Sequence, residues 1–566
     1  MSTGKISLLY PLGTDRMTPL KETVIHDLGL DTVCEKVAAK PQEQSILLKV
    51  LSSVTDDPAV TRYRCEVFRD VFEQPQMCGE LMKLLDKIDF LRDYGSFRDR
   101  YDERAGAWDL LHRLEEINDY IGYVEAIHTC LDKVTLRSEG LNSLKHYVDV
   151  LYHERGFEEL KKDIAECRAT TANLKSVTVG INLNERFEAS GIGLISINSK
   201  PFTKSGILSN FSDIIVKNNI RPDNDWDESY RFHPFSATDT FAAIERMTNR
   251  QMRMNPLYTV ASVPADDSAE GMTCHMEKVT NHMLALVIKK LKEILKRYVY
   301  VTITDITDLI PELVYYIRFA EYVRGLQKAG YVFCMPETAQ DSGDGRSMRA
   351  RGFWNLKLAE SCKADEVVRN DLDFDPEHRV YILTGANRGG KTTVTQAVGQ
   401  LFVLAQGGIF VPAEEFVFDP ADRIHTHFPA DEDKTLDLGR LGEECKRFRE
   451  MFRECTAKSL LLLNETFSTT SFEEGYYIAR DSARAILKTG IRTVYNTHMH
   501  KLAFELNEIN SGDGDGKAAS LIVKSTDGQR SFRISAEPPE GMSYARDIAV
   551  RYGVTYEMLT ENNENE

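Results

Sequence analysis

The sequence predicts a P-loop α/β domain in the C-terminal part of the chain, preceded by a mainly α-helical core and lever with a small β-containing insert. Three stretches and their order predict it. Residues 383–393 read LTGANRGGKTT, which fits the phosphate-binding pattern G-x-x-x-x-G-K-[ST] from Gly385 to Thr392. A β-rich run, VYIL at 380–383, precedes the loop, and a helix-compatible stretch follows it. Residues 459–471 read SLLLLNETFSTTS, a short buried-strand signal that ends in Asn464-Glu465. Residues 491–495, IRTVY, read as another strand and end at Asn496-Thr497-His498.

Each piece suits phosphate chemistry. Gly385, Gly389 and Gly390 let the backbone wrap closely around an oxyanion. Amides from Asn387 onward can then point at phosphates, with Ala386, Arg388 and Thr393 completing the loop. Lys391 adds a mobile charge for the β- and γ-phosphates of ATP, and the Thr392 hydroxyl is suited to ligate Mg²⁺. Glu465 is placed to polarise an attacking water. His498, at a strand's C-terminal end, is expected to face the γ-phosphate.

The same residues carry a family resemblance. LTGANRGGKTT is similar to the TGPNMGGKS/T loop of the DNA mismatch repair MutS family. NETFSTTS resembles that family's DE-x-G-R-G-T-S segment, and YNTHMHKLA its ATH-x-x-x-L segment. GGIFVPAEEFVFDPADRIHTH resembles its G-x-(Y/F)-VPA…DRI-x-T-R run, and GMSYARDIAVRYGV its S-Y-G-(L/I)-x-V-A-x-x-A-G-(V/I) segment. The resemblance covers about residues 353–556 and extends more faintly over residues 309–337. It implies an ABC-like P-loop ATPase domain with Lys391, Glu465 and His498 in catalytic roles. Thr392 and Asn464 would lie at the metal.

The chain departs from the family pattern at three places. Asn464 stands where the family has a Mg²⁺-associated Asp. Ala386 and Arg388 replace Pro and Met. Residues 439–444 (GRLGEE) replace a G-R-S-T-F-M-x-E-M segment, so the serine thought to reach the partner subunit's nucleotide is missing. No F-Y-E tripeptide occurs either. The resemblance therefore implies a short, divergent member without the mismatch-reading domain.

Composition bounds the rest. At 566 residues the chain has room for about three to four domains. The regions read as a helical core (1–175), a mixed β connector or clamp-like segment (176–262), a helical lever (263–338), a linker (339–352) and the ATPase domain (353–566). No apolar run approaches a membrane span. The 10 cysteines are scattered without a C-x-x-C pair and read as reduced thiols of a cytoplasmic protein. A net charge of −17 excludes a broadly DNA-coating surface, so any DNA site must be a local basic patch. Two clusters qualify. One is Arg246, Arg250 and Arg253. The other is a helical face of Lys289, Lys290, Lys292, Lys296 and Arg297, whose plainer reading is a solvated surface. His425 and His427 share one face of a strand but lack a third ligand, which favours a structural role over a metal site. The spacing of Leu438, Leu441, Cys445, Phe448 and Phe452 predicts a core-packing helix.

Two functions are compatible with this reading. One is a homodimeric, DNA-binding ATPase clamp of the mismatch repair type, with little mismatch preference. The other is a non-repair ATP switch acting on branched DNA or ribosomes.

Overall fold

The computed structural model describes residues 6–11, 17–94, 107–171, 176–183, 185–187, 189–198, 261–262, 285–296, 309–339, 344–385, 389–429, 439–468, 472–512, 514, 516–526, 529–539, 549–550 and 552–561. They fall into two compact units. One comprises residues 1–85, 130–146 and 305–566, and the other residues 86–129 and 147–304.

The first unit is built on a six-stranded sheet. In spatial order its strands are Ile424–His427, Leu460–Asn464, Arg492–Asn496, His378–Gly385, Lys517–Thr526 and Gln529–Ser535. The first five are parallel and the last is antiparallel. Leu460, Leu461, Leu462 and Leu463 are all fully buried. That is why this strand reads as a continuous apolar run instead of an alternation: helices cover both faces of the sheet. On one face Val380, Ile382, Leu461, Leu463 and Tyr495 pack against Ala479, Ala483 and Ile486 of the helix Phe472–Thr489. Leu441, Cys445, Phe448 and Phe452 pack on the same core, as their spacing predicted. Leu438 lies outside the described residues. The helix Lys391–Gln406 covers the other face. A second sheet of four strands runs Glu337–Thr338, Glu415–Phe418, Met348–Phe353, Asn370–Phe374.

The partition differs from the one read in the sequence. The residues expected as a linker, 339–352, include all but the last residue of the strand Met348–Phe353, which is paired on both sides. The first 85 residues do not form a separate helical core but belong to the same unit as the sheet. Small residues explain the docking. Gly399, inside the helix Lys391–Gln406, leaves room for Leu28, whose Cδ2 would lie 2.5 Å from an added Cβ. Gly408, at φ 80°, abuts Arg64 of the helix Pro58–Glu73. Arg64 is fully buried, and its guanidinium donates to the carbonyls of Leu9 (2.9 Å) and Gln406 (3.0 Å). Gln406 Nε2 in turn donates to Thr55 O at 2.6 Å. The contacts of Gln406 with Arg64 and Thr55 join segments more than 300 positions apart, which local pattern cannot announce.

The second unit holds the helix Arg155–Thr171, the helix Ala285–Leu295 and a three-stranded antiparallel sheet of Ser176–Leu183, Ala189–Asn198 and Ala261–Ser262. The β-containing insert expected after residue 175 is this sheet. Lys290 of Ala285–Leu295 pairs with Glu166 of Arg155–Thr171 at 2.9 Å.

Gly408→Ala is expected to destabilise the protein by about 3 kcal/mol, from the left-handed backbone and from overpacking. A Cβ there would lie 2.3 Å from Arg64 Cβ and 2.8 Å from its carbonyl carbon. A urea midpoint equal to wild type would refute this account of how the N-terminal helices dock.

Candidate active site

The carboxyl ends of three adjacent parallel strands, together with the N-terminus of one helix, bring the chemistry-bearing residues together. The strand His378–Gly385 ends at Gly385, with φ 136°. A Cβ there would lie 3.2 Å from both Cβ and N of Val523, so only glycine fits. Ala386, Asn387 and Arg388 lie outside the described residues. Gly390, at φ 93°, caps the helix Lys391–Gln406, and a Cβ would meet the Phe532 ring at 3.2 Å. The first turn of that helix leaves backbone N–H groups without helical partners, as every helix start does. Thr393 is held from behind, its carbonyl accepting from Asn355 Nδ2 at 2.8 Å.

Lys391 is buried, and its Nζ donates to Gly385 O at 2.9 Å. Burial lowers its pKa, and the charge of Glu465 works against that shift. Thr392 is exposed, and its hydroxyl donates to Asn464 Oδ1 at 3.0 Å. Asn464 ends its strand opposite Asn496, in register. Asn496 Nδ2 donates to the same Oδ1.

Glu465 follows at once, in a left-handed turn. Its φ is 52° and that of Phe467 is 64°, a cost that persists only where surroundings enforce it. Here Glu465 N donates to Asn496 O at 2.9 Å, and Phe467 N donates to the buried carboxylate of Glu444 at 2.7 Å. Glu465 Oε2 accepts from His498 N at 3.1 Å and pairs with His498 Nδ1. Burial pushes the Glu465 carboxyl up, but the His498 hydrogen bond and the charges of His498 and Lys391 outweigh it and hold the pKa below the ordinary range. The Glu465 hydrogen bond raises His498 above its ordinary value.

A cavity of about 400 Å³ opens beside these groups, lined by Phe353, Trp354, Leu358 and Phe532 together with Gly389–Thr393 and Glu465. Its lining combines these apolar and aromatic side chains with Asn355, Glu366 and Asn370, and it meets Lys391 at the helix start and Glu465. It suits a ligand with a flat apolar part and an anionic tail.

The sequence-derived set is thus gathered: Gly385, Gly389, Gly390, Lys391, Thr392, Thr393, Asn464, Glu465 and His498 share one site. Arg246, Arg250 and Arg253 lie outside the described residues. Lys289 and Lys292 lie on the helix Ala285–Leu295 of the other unit. His425 and His427 are buried, and burial pushes them down to about 4 and about 3. His427 Nε2 accepts from Arg447 Nε at 3.2 Å, while Nδ1 lies 3.1 Å from Thr466 Oγ1. These histidines are structural. Asn496, Glu444, Asn355 and Phe532 were not singled out in the sequence. Asn496 alone had a signal there, its place two residues before His498 at a strand's end. The other three come from distant segments.

The family model for MutS domain V matches residues 381–546. An endonuclease MutS2 from Thermus thermophilus is 27% identical over 305 residues, 53% of this chain and 39% of the relative. A DNA mismatch repair protein MutS from Chlorobium phaeobacteroides is 34% identical over 174 residues, 31% of this chain and 20% of that protein. One from Chlorobium limicola is 30% identical over 232 residues, 41% and 26% of the respective chains. The chain therefore spans well under half the length of these relatives. The matched region contains the loop helix, both strand-end asparagines, Glu465 and His498, and over it the chain is similar to domain V of MutS proteins.

Proposed function

We propose that this protein is a Mg²⁺-dependent ATPase of the MutS type, working as a homodimer that couples ATP binding and hydrolysis to movement of helical arms on DNA. One observation carries the reading: Lys391, Thr392 and Glu465 line a cavity beside a glycine-capped helix start, with Asn464 bonded to Thr392 and His498 to Glu465. The residues fit the absent nucleotide, because the buried Lys391 ammonium and the Thr392 hydroxyl stand at a helix start whose first amides lack helical partners. Lys391 and the helix amides would hold the phosphates, with Ala386, Asn387 and Arg388 completing the cradle. Thr392 and Asn464 would hold the metal. Mg²⁺, when bound, neutralises charge developing on the phosphates. Glu465, kept anionic by His498 and Lys391, orients and deprotonates the attacking water. His498 stabilises the Glu465 carboxylate and would sense the γ-phosphate. Asn464 accepts a hydrogen bond but carries no charge, so metal affinity is weaker and turnover slow.

Further features support the dimer. Val550, Tyr552, Val554 and Tyr556 are exposed near the C-terminus, more apolar surface than an isolated domain needs. Tyr544 and Ile548 lie outside the described residues. Among the described residues no helix is long and apolar enough to cross a membrane. We place the protein in the cytoplasm, with duplex or branched DNA as partner through phosphates and little mismatch preference.

Lys391→Ala should abolish ATP binding in a calorimetric titration, whereas Glu465→Gln should keep binding and stop phosphate release. Asn464→Asp should raise Mg²⁺ affinity or rate. Unchanged binding in Lys391→Ala would remove the site assignment.

The Glu465–His498 pair has a defined pH window. The depressed carboxyl contributes above its ordinary value of 4.5 and is lost as pH falls through its lower folded value. The raised imidazole contributes below its ordinary 6.5 and is lost as pH rises through its higher folded value. The pair is therefore fully formed between those ordinary values. In an NMR titration the His498 midpoint should lie above the ordinary 6.5 and drop in Glu465→Gln; an unchanged midpoint would show that Glu465 does not govern it.

ATP should shift the full chain toward dimer in sedimentation velocity. A monomer at every nucleotide state and at high concentration counts against the clamp. DNA affinity should fall steeply with salt and weaken for all sequences in Arg250→Ala/Arg253→Ala, with a smaller loss in Lys289→Ala/Lys292→Ala. Absence of any DNA binding at low salt would favour the non-repair switch acting on ribosomes.

A further inference from the structure

Asn464 and Asn496 close two adjacent strands in register, and we infer that Asn496 is a positioning residue, holding the Asn464 amide with its oxygen toward Thr392 and the metal position. The inference rests on the Mg²⁺–ATP reading of this site. It concerns a chemical problem that arises only because residue 464 is an amide. A carboxylate offers an acceptor oxygen whichever way it rotates. A primary amide has unlike ends: Oδ1 accepts and Nδ2 donates. With Nδ2 forward, two positive hydrogens would face the cation, and Thr392 would lose the acceptor for its hydroxyl proton. That proton must go somewhere if the Thr392 oxygen is to offer a lone pair to a metal.

Thr392 cannot fix the rotation by itself, since a hydroxyl donates or accepts as its neighbour demands. Asn496 adds a second donor. It is fully buried, its Nδ2 donates to Asn464 Oδ1, and the same Nδ2 lies 3.4 Å from Thr392 Oγ1. Thr392 Oγ1 and Asn496 Nδ2 thus converge on one oxygen. Rotating Asn464 alone would set its N–H groups against the Asn496 Nδ2 donor, which cannot turn to accept as the Thr392 hydroxyl can. Only a concerted turn of both amides offers a competing network, and Asn496 Oδ1, buried without a hydrogen-bond partner, is the atom that would accept in it. A cation at the site favours the oxygen-forward network over that alternative. Replacing Asn496 by an apolar residue removes the second donor and frees the Asn464 amide to turn.

The inference makes the importance of Asn496 depend on what stands at 464. In the Asn464→Asp background no orientation needs holding. Removing a donor there also leaves the carboxylate charge less shared, so metal affinity should hold or rise. The test uses the full chain as wild type, Asn496→Ala, Asn464→Asp and the double variant. The readout is the affinity for a fluorescent non-hydrolysable ATP analogue in Mg²⁺ relative to EDTA, with thermal melts as a folding control. Asn496→Ala should cut the Mg²⁺-dependent gain by about fivefold, the worth of one hydrogen bond. The double variant should retain the gain of Asn464→Asp to within about twofold. Asn496→Leu, similar in shape and lacking the donor, serves if the alanine variant melts early. Equal losses in both backgrounds, or no loss in either, would overturn the assignment and leave the ATP site standing. A wild-type protein that gains nothing from Mg²⁺ would overturn the site reading itself, and this inference with it.

Discussion

Strand register in the parallel sheet is the constraint on which the site depends. Asn464 stands opposite Asn496, and Asn496 opposite Leu383, shortly before the loop strand turns at Gly385. No hairpin turn sets these alignments, because parallel neighbours are joined by long crossovers. Burial sets them instead. A shift of one residue would send every side chain of a strand to the opposite face. Each face packs against a different helix, so the cost of slippage is spread over the whole core. The alignment carries Asn464, Asn496, Glu465 and the turn at Gly385 to one edge.

Around that edge, burial and charge are balanced rather than minimised. Lys391 is buried and pushed toward its neutral form, with Glu465 the charge that opposes the shift. Glu465 is held anionic against its own burial by His498 and Lys391. Each of these groups would be less well suited alone. Together they keep a cation and an anion side by side in a partly buried site, where electrostatic interactions are stronger than in bulk water.

The turn that carries Glu465 is itself held from a distance. Glu444 takes the Phe467 amide, and His427 meets Thr466. Arg447 donates to His427 and to Phe428 O at 2.6 Å. Both Glu444 and Arg447 belong to the helix Gly439–Glu454. That helix therefore reaches the positive-φ turn through hydrogen bonds at several points, and its placement decides where the carboxylate points. The loop helix Lys391–Gln406 is anchored likewise by the N-terminal residues. Gln396 donates to Asp27 O at 2.7 Å and Gln400 to Leu28 O at 2.9 Å.

The sequence by itself determined the three site strands, the glycine turn that ends one of them and the chemistry open to Lys391, Thr392, Asn464, Glu465 and His498. Those signals are local: glycines where a turn must be tight, an apolar run where a strand is covered on both faces, polar residues where it ends. What only the tertiary structure decided was which distant groups meet them. Asn496 became a partner of Asn464 through strand pairing, Glu444 a support of the Glu465 turn through helix placement, and Phe532 a wall of the cavity through its strand at the sheet's edge. The assignment of the first 85 residues to the sheet's own unit was equally hidden, since it depends on Gly399 and Gly408 matching Leu28 and Arg64. Periodicity reports which face of an element is apolar; it does not report which surface will cover it, because that choice is made by shape and hydrogen-bond partners contributed from elsewhere in the chain.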